Sequence, residues 1–141
     1  MCIRDRLGAG HIADHVKFHA VLEKHFRAGK LMAAICAAPA ICFEPKGFLE
    51  GYAANAHPAF VDELGGSLLE KNIYQDCRVV VYTHIVTSRG PDTSMEWALC
   101  LVEQLYGSRK AREVAGPMVV QPANARIRRN LEWRLDETPL E

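Results

Sequence analysis

From Ala13 to Val120 the sequence keeps switching between helical and strand-like patterning, and this alternation leaves few architectures open. Val16, Phe18, Val21, Leu22 and Phe26 recur at mixed three- and four-residue intervals, which predicts a helix over Ala13 to Ala28 with Gly29 at its C-terminal cap. Leu31 to Ile35 is a short apolar run that composition alone would also allow in a helix. The Gly29-Lys30 break before it decides for a buried strand. Helix is expected again after Cys36, weakening near Pro45 and Gly47. Tyr52 to Asn55 reads as a further strand, and Pro58 to Leu64 as a short helix with proline in first position. Beyond the Gly65-Gly66 break, Arg78 to Tyr82 and His84 to Thr87 form either one bent strand or a tight pair. Ser88 to Asp92 is a loop. Thr93 or Ser94 then caps a helix running to about Tyr106, with Glu96 as capping-box partner and Met95, Ala98, Leu99, Val102 and Leu105 as its apolar face. Gly107 stops it, Ser108 to Val114 is one more short helix, and Pro117 to Val120 runs extended. Strand and helix in alternation imply an α/β domain on a mostly parallel sheet of three or four short strands.

Length and charge narrow the function classes. The 141 residues suit one domain. Lys plus Arg and Asp plus Glu are 17 each, giving no net charge and no basic stripe before the C-terminal tail, so nucleic acid is not an expected partner. No apolar run approaches the roughly 18 residues that span a bilayer. The opening MCIRDRLGAGH puts charges where a signal peptide needs an apolar stretch, which points to a cytosolic protein. Cys2, Cys36, Cys42, Cys77 and Cys100 are odd in number and contain no C-x-x-C pair, arguing against both a disulfide framework and a zinc site. Gln121 to Glu141, rich in Arg and acids, is a surface helix or disordered; the sequence leaves both open.

One cysteine stands apart. Ala34-Ile35-Cys36-Ala37-Ala38 has the frame small-x-Cys-x-small. A nucleophile on a sharp strand-to-helix turn needs small residues two before and two after it, because the turn is crowded. A helix beginning just after Cys36 would favour the thiolate through its partial positive charge. The Ala37 N–H would sit where a developing oxyanion is bound. Spacing alone also fits a plain buried thiol, since Cys is among the most buried residue types.

LMAAICAAPA (Leu31–Ala40), with Val86-Thr87-Ser88-Arg89-Gly90-Pro91 and Thr93-Ser94 downstream, resembles the ThiJ/PfpI superfamily, and within it the branch of the Parkinson's-associated deglycase and its bacterial homologues. The resemblance covers roughly Leu7 to Val120. It implies a flavodoxin-like three-layer α/β sandwich with a mostly parallel sheet, here missing its N-terminal strands, and a homodimer. It implies Cys36 as the easily oxidised nucleophile, Ala37 as oxyanion donor, and Arg89, Gly90 and Pro91 as a loop near the cysteine pocket. The activity implied is a glyoxalase or deglycase without cofactor or metal, acting on small 2-oxoaldehydes or their adducts. The alternative is a redox-sensing or chaperone-like dimer in which Cys36 is oxidised.

The sequence departs from that family in places. A Glu that contacts the reactive sulfur belongs to a part of the family fold preceding Leu7. A Pro-Gly-Gly turn is expected where Ile3-Arg4-Asp5 stands. Met1 to Arg6 is therefore read as a foreign leader, residues 7–120 as the C-terminal part of the domain, and residues 121–141 as a polar extension. The chain alone is expected to be inactive or nearly so. Some members carry a His where Lys71 stands here, and the family usually has Gly at Asp92. Asp tolerates left-handed geometry better than most residues, so the loop is expected to survive. Among other candidates, His11, His15 and His19 recur every four residues and read as a solvated helix face rather than a zinc site. His57 reads as part of a structural turn, and His84 as packed or edge-exposed. Cys42 and Cys100 read as core, and Cys77 as exposed.

Overall fold

The first predicted helix is split at His15. The computed structural model describes residues 3–65, 74–119, 132, 133 and 135. Helix α1 spans Ile3–Asp14 and α2 spans Val16–Arg27, with His15 between them as the α2 N-cap. The His15 Nδ1 accepts the Phe18 N–H at 3.2 Å, the role a Ser or Asp oxygen usually fills. The predicted His11/His15/His19 face therefore does not form on one helix. His11 lies on α1, His15 at the junction, and the His19 Nε2 meets the Ala13 carbonyl. Gly29 follows α2 in the left-handed region, as a helix C-terminus favours.

Strands β1 (Met32–Ile35), β2 (Val79–Tyr82) and β3 (Ile85–Ser88) form a sheet in the order β1-β3-β2. β1 runs parallel to β3, pairing Met32 with Ile85 and Ile35 with Ser88. β2 runs antiparallel to β3, so the tight-pair alternative is the one realised, with Thr83 at φ +51 in the two-residue turn. Tyr52 to Asn55, expected as a strand, is extended but joins no ladder. The Asn55 N–H goes to the Thr87 hydroxyl at 3.0 Å and its Nδ2 to the Cys77 carbonyl at 2.5 Å, so a side chain takes the place of a strand partner.

Past Cys36 the chain winds as a π-helical turn, Pro39–Phe43, then a 3-10 turn, Glu44–Lys46, ending at Gly47. Pro45 has no N–H to continue a regular ladder. Pro58–Glu63 is a 3-10 turn with Pro58 at its start. Helices α3 (Ser94–Tyr106) and α4 (Ser108–Ala115) meet at Gly107, whose φ of +87° ends α3. The buried stripe of α3 differs from the expected one. Leu99 of the expected face is buried, but Met95, Ala98 and Leu105 are exposed, while Cys100 packs on Val79 and Val86 with Trp97 and Leu101 beside it. Both stripes are apolar at three- and four-residue spacing, so period alone does not choose between them; the valine face of the sheet does. Pro117 to Val120, expected extended, begins instead in a 3-10 turn, Gly116–Met118, followed by left-handed Val119, because proline's fixed φ suits the first position of a helical turn. Gly66, Lys71 and the first two residues lie outside the described residues.

The expectation for Cys77 is overturned. It is buried against Ala53, Tyr74 and Val80. Cys42 is buried as well, its Sγ donating to the Ala9 carbonyl at 3.2 Å. Burial, and then the negative charge of Glu103, push the Cys100 thiol from an ordinary 9.0 up to about 12. The folded state thus keeps a proton that the unfolded chain loses as pH rises through about 9. The protein should consequently lose stability steadily from pH 9 toward 12, a loss that Cys100→Ala should flatten in chemical melts taken across that range.

Candidate active site around Cys36

Cys36 follows directly on β1, and its backbone is left-handed, φ +66°. Such a conformation costs a non-glycine residue on the order of 1–2 kcal/mol and persists only where neighbours hold it. Two hydrogen bonds do so here. The Cys36 N–H donates to the Ser88 carbonyl at 3.0 Å, extending the β1–β3 ladder by one residue, and the Cys36 carbonyl accepts the His57 N–H at 2.9 Å. The chain then turns at Ala37, whose carbonyl accepts the Ile41 N–H at 2.9 Å. Ala34, the first small position of the frame, and Ala37 are almost fully buried, which suits small side chains there, while Ala38, the second small position, is half-buried. Cys36 itself is half-buried, whereas Cys42, Cys77 and Cys100 are buried.

A cavity of about 400 Å³ opens beside Cys36. It is lined by Gly8, Ala9 and Ile12 of α1, by Ile35 to Ala38, and by Gly90, Pro91 and Ser94 as a further wall. Of the residues the sequence singles out, Cys36, Ala37, Gly90 and Pro91 meet at this cavity. Arg89 does not line it, and its guanidinium turns to the Asp76 carbonyl at 3.5 Å. Among the described residues the lining carries no carboxylate and no imidazole.

Hydroxyls and one arginine hold the Gly90 loop. The Thr93 hydroxyl accepts the Gly90 N–H at 3.1 Å, lies 2.5 Å from the Ser88 hydroxyl, and makes no bond to the first turn of α3. Glu96 does not close the expected capping box either. Its carboxylate meets Arg78 Nε at 2.6 Å. Asp92 sits in a 3-10 turn, Pro91–Thr93, and is not left-handed, so the tolerance expected of it is not called upon. Its carboxylate instead takes Arg78 Nη1 at 2.8 Å. Burial acts to lower the Arg78 pKa, and the hydrogen bonds and charges of Asp92 and Glu96 outweigh it and raise it.

His57 is a neighbour of the site that sequence reasoning set aside as structural. Its Nδ1 accepts the Ala59 N–H at 3.1 Å, which leaves the proton of a neutral ring on Nε2. The Cδ2 edge of that ring approaches Gly90 so closely that a Cβ there would lie 3.3 Å from it. The signal was present in Ala56-His57-Pro58: a His that caps a turn is fixed in orientation, and here that turn abuts Cys36.

The DJ-1/PfpI family matches residues 6–104. The chain belongs to that family. Protein DJ-1 homolog B of Arabidopsis thaliana is 44% identical over 102 residues, covering 72% of this chain and 22% of that protein. Glutathione-independent glyoxalase DJR-1.2 of Caenorhabditis elegans is 29% identical over 113 residues, 79% of this chain and 57% of that one. Oxidised DJ-1 of Toxoplasma gondii superposes with a TM-score of 0.71 at 37% identity, covering 79% of this chain and 58% of that one. DJ-1beta of Drosophila melanogaster gives 0.72 at 31%, covering 81% and 59%. The chain spans between 22% and 59% of the curated relatives it matches. Its fold is the flavodoxin-like α/β fold of these DJ-1 structures. Among the described residues no helix is long and apolar enough to cross a membrane.

Proposed function

We propose that this DJ-1-type domain uses Cys36 as a nucleophile toward small 2-oxoaldehydes, methylglyoxal and glyoxal, and toward their adducts on amines and thiols. The observation that carries this reading is the left-handed Cys36 lining a cavity of about 400 Å³. The similarity to a protein named a glutathione-independent glyoxalase supports the substrate class.

The Cys36 thiolate adds to the aldehyde carbon, forming a C–S bond, and the carbonyl oxygen takes up a proton to give a hemithioacetal. In this reading the Ala37 N–H stabilises the intervening oxyanion. The proton on the former aldehyde carbon then moves to the adjacent carbonyl carbon, which oxidises the first centre and reduces the second. The product is the thioester of a 2-hydroxy acid. Water cleaves that thioester and returns the thiolate, so no external oxidant or cofactor is consumed. Proton transfer between the carbons needs a general acid–base group. The described lining carries no such group; the His57 imidazole meets Gly90 without lining the cavity, so in this reading a carboxyl is required to supply it.

The chain as it stands is therefore expected to form the hemithioacetal but release 2-hydroxy acid slowly. Methylglyoxal loss and lactate formation should be followed beside an N-terminally extended chain that carries the carboxyl. Equal lactate rates in the two proteins would overturn the need for that group, and no Cys36-dependent methylglyoxal loss in either would overturn the enzymatic reading. The protein is proposed to be cytosolic and to act as a homodimer.

A second reading has its own observation. Cys36 is the half-buried thiol beside three buried ones, which suits selective oxidation to the sulfinic acid. Dilute peroxide followed by peptide mass mapping should add two oxygens at Cys36 before any of Cys42, Cys77 or Cys100; simultaneous oxidation of all four would remove this role.

A further inference from the structure

Two residues of the C-terminal segment dock on the outer edge of the sheet, beside the Arg78 that grips Asp92 next to Pro91 of the cavity lining. Glu132 forms an antiparallel bridge with Val80, and the Trp133 N–H donates to the Val79 carbonyl at 2.9 Å, adding a rung to the outer edge of β2. The Trp133 indole packs against the Val79, Val86 and Cys100 cluster, and its Nε1 donates to Glu103 on α3 at 3.0 Å. The Glu132 carboxylate accepts the Arg78 N–H at 3.2 Å. These two residues lie beyond the stretch that matches the family, which ends at residue 104.

Arg78 stands between this segment and Cys36. Its Nη1 binds the Asp92 carboxylate at 2.8 Å and its Nη2 the Asp92 carbonyl at 2.9 Å, so the guanidinium grips both the side chain and the backbone of the residue following Pro91. Its Nε holds Glu96 at 2.6 Å, and its carbonyl accepts the Ser88 hydroxyl at 2.7 Å. The Ser88 carbonyl in turn takes the Cys36 N–H. Of these atoms, the backbone N–H is held by Glu132 of the tail, the carbonyl by Ser88 of β3, and the guanidinium by Glu96 and by Asp92, the neighbour of Pro91. A guanidinium can make such a fork and an ammonium cannot.

We propose that Arg78 is a positioning residue for the Cys36 cavity, and that the tail segment Glu132–Trp133 sets its position, so that docking of the tail on β2 governs how closely the Gly90–Pro91 wall stands over the Cys36 thiol. This goes beyond the aldehyde chemistry and does not depend on turnover.

The test uses the full chain and reads carbamidomethylation of each cysteine by iodoacetamide, resolved by peptide mass mapping. Glu132→Ala and Asp92→Ala should each speed modification of Cys36 by about threefold or more, the double variant by no more than the faster single, since both act through Arg78. Arg78→Lys should match Arg78→Ala, because its charge remains but its fork is lost. Cys42, Cys77 and Cys100 serve as internal controls, because general loosening would expose all four thiols together. An unchanged Cys36 rate in Glu132→Ala, multiplicative effects in the double variant, rescue by lysine, or a rise at all four cysteines would each overturn the proposal. Loss of methylglyoxal turnover in any variant bears only on the enzymatic reading, since alkylation requires no proton relay.

Discussion

Cys36→Ser should lower methylglyoxal consumption by on the order of a thousandfold, the scale seen when a nucleophile is removed while the rest of a site remains. Serine fits the crowded turn between Ala34 and Ala37, and it keeps the backbone bonds to Ser88 and His57. Its hydroxyl ionises far less readily than a thiol, and the described lining offers no base to assist it. The assay is lactate formation in an extended chain carrying the proposed carboxyl, with a thermal melt confirming that the fold is intact. Wild-type turnover in the serine variant would end the nucleophile assignment.

The largest stability effect is expected at Ile85. It is fully buried on the central strand β3, paired with Met32 of β1 and Tyr82 of β2. Ile85→Ala removes three carbons from a close-packed interior that refills only in part, a change costing about 2–5 kcal/mol. For a domain whose whole stability is of order 5–15 kcal/mol, this is a large fraction. Val16, which is 81% exposed, supplies the contrast: Val16→Ala should stay within about 0.5 kcal/mol. Urea melts of both variants check the pair, with unchanged denaturant slopes as the condition for comparing midpoints.

Much of the Cys36 corner was legible because its constraints are local. A strand ending at Ile35, a crowded turn and small flanking residues can be read from five consecutive letters. Gly29 and Gly107 announced helix ends for a similarly local reason, since both take left-handed or related backbone. What failed to show depended on contacts distant in sequence. Tyr52 to Asn55 has strand composition, yet the Thr87 hydroxyl takes its ladder bond. Glu96 has capping-box spacing, yet Arg78 offers it a charged partner. Cys77 reads as exposed because it precedes a strand, yet Ala53, more than twenty residues earlier, joins Tyr74 and Val80 in burying it. His57 reads as part of a structural turn; that its ring caps the turn, and that the turn leans on the nucleophile, cannot be counted from spacing.

The mixed ladder of the sheet also sets an order of assembly. β2 and β3 are joined by two residues, so their pairing closes almost no loop. β1, which ends at Ile35, pairs with the same central strand, which begins at Ile85, only after the long intervening stretch has been brought round, and the entropy of that closure is lost before the ladder returns anything. The last rung of this late pairing is the Cys36 N–H on the Ser88 carbonyl. Refolding is therefore expected to build a hairpin first and a reactive centre last, with nascent chains passing through a stage in which the thiol is present but not yet poised.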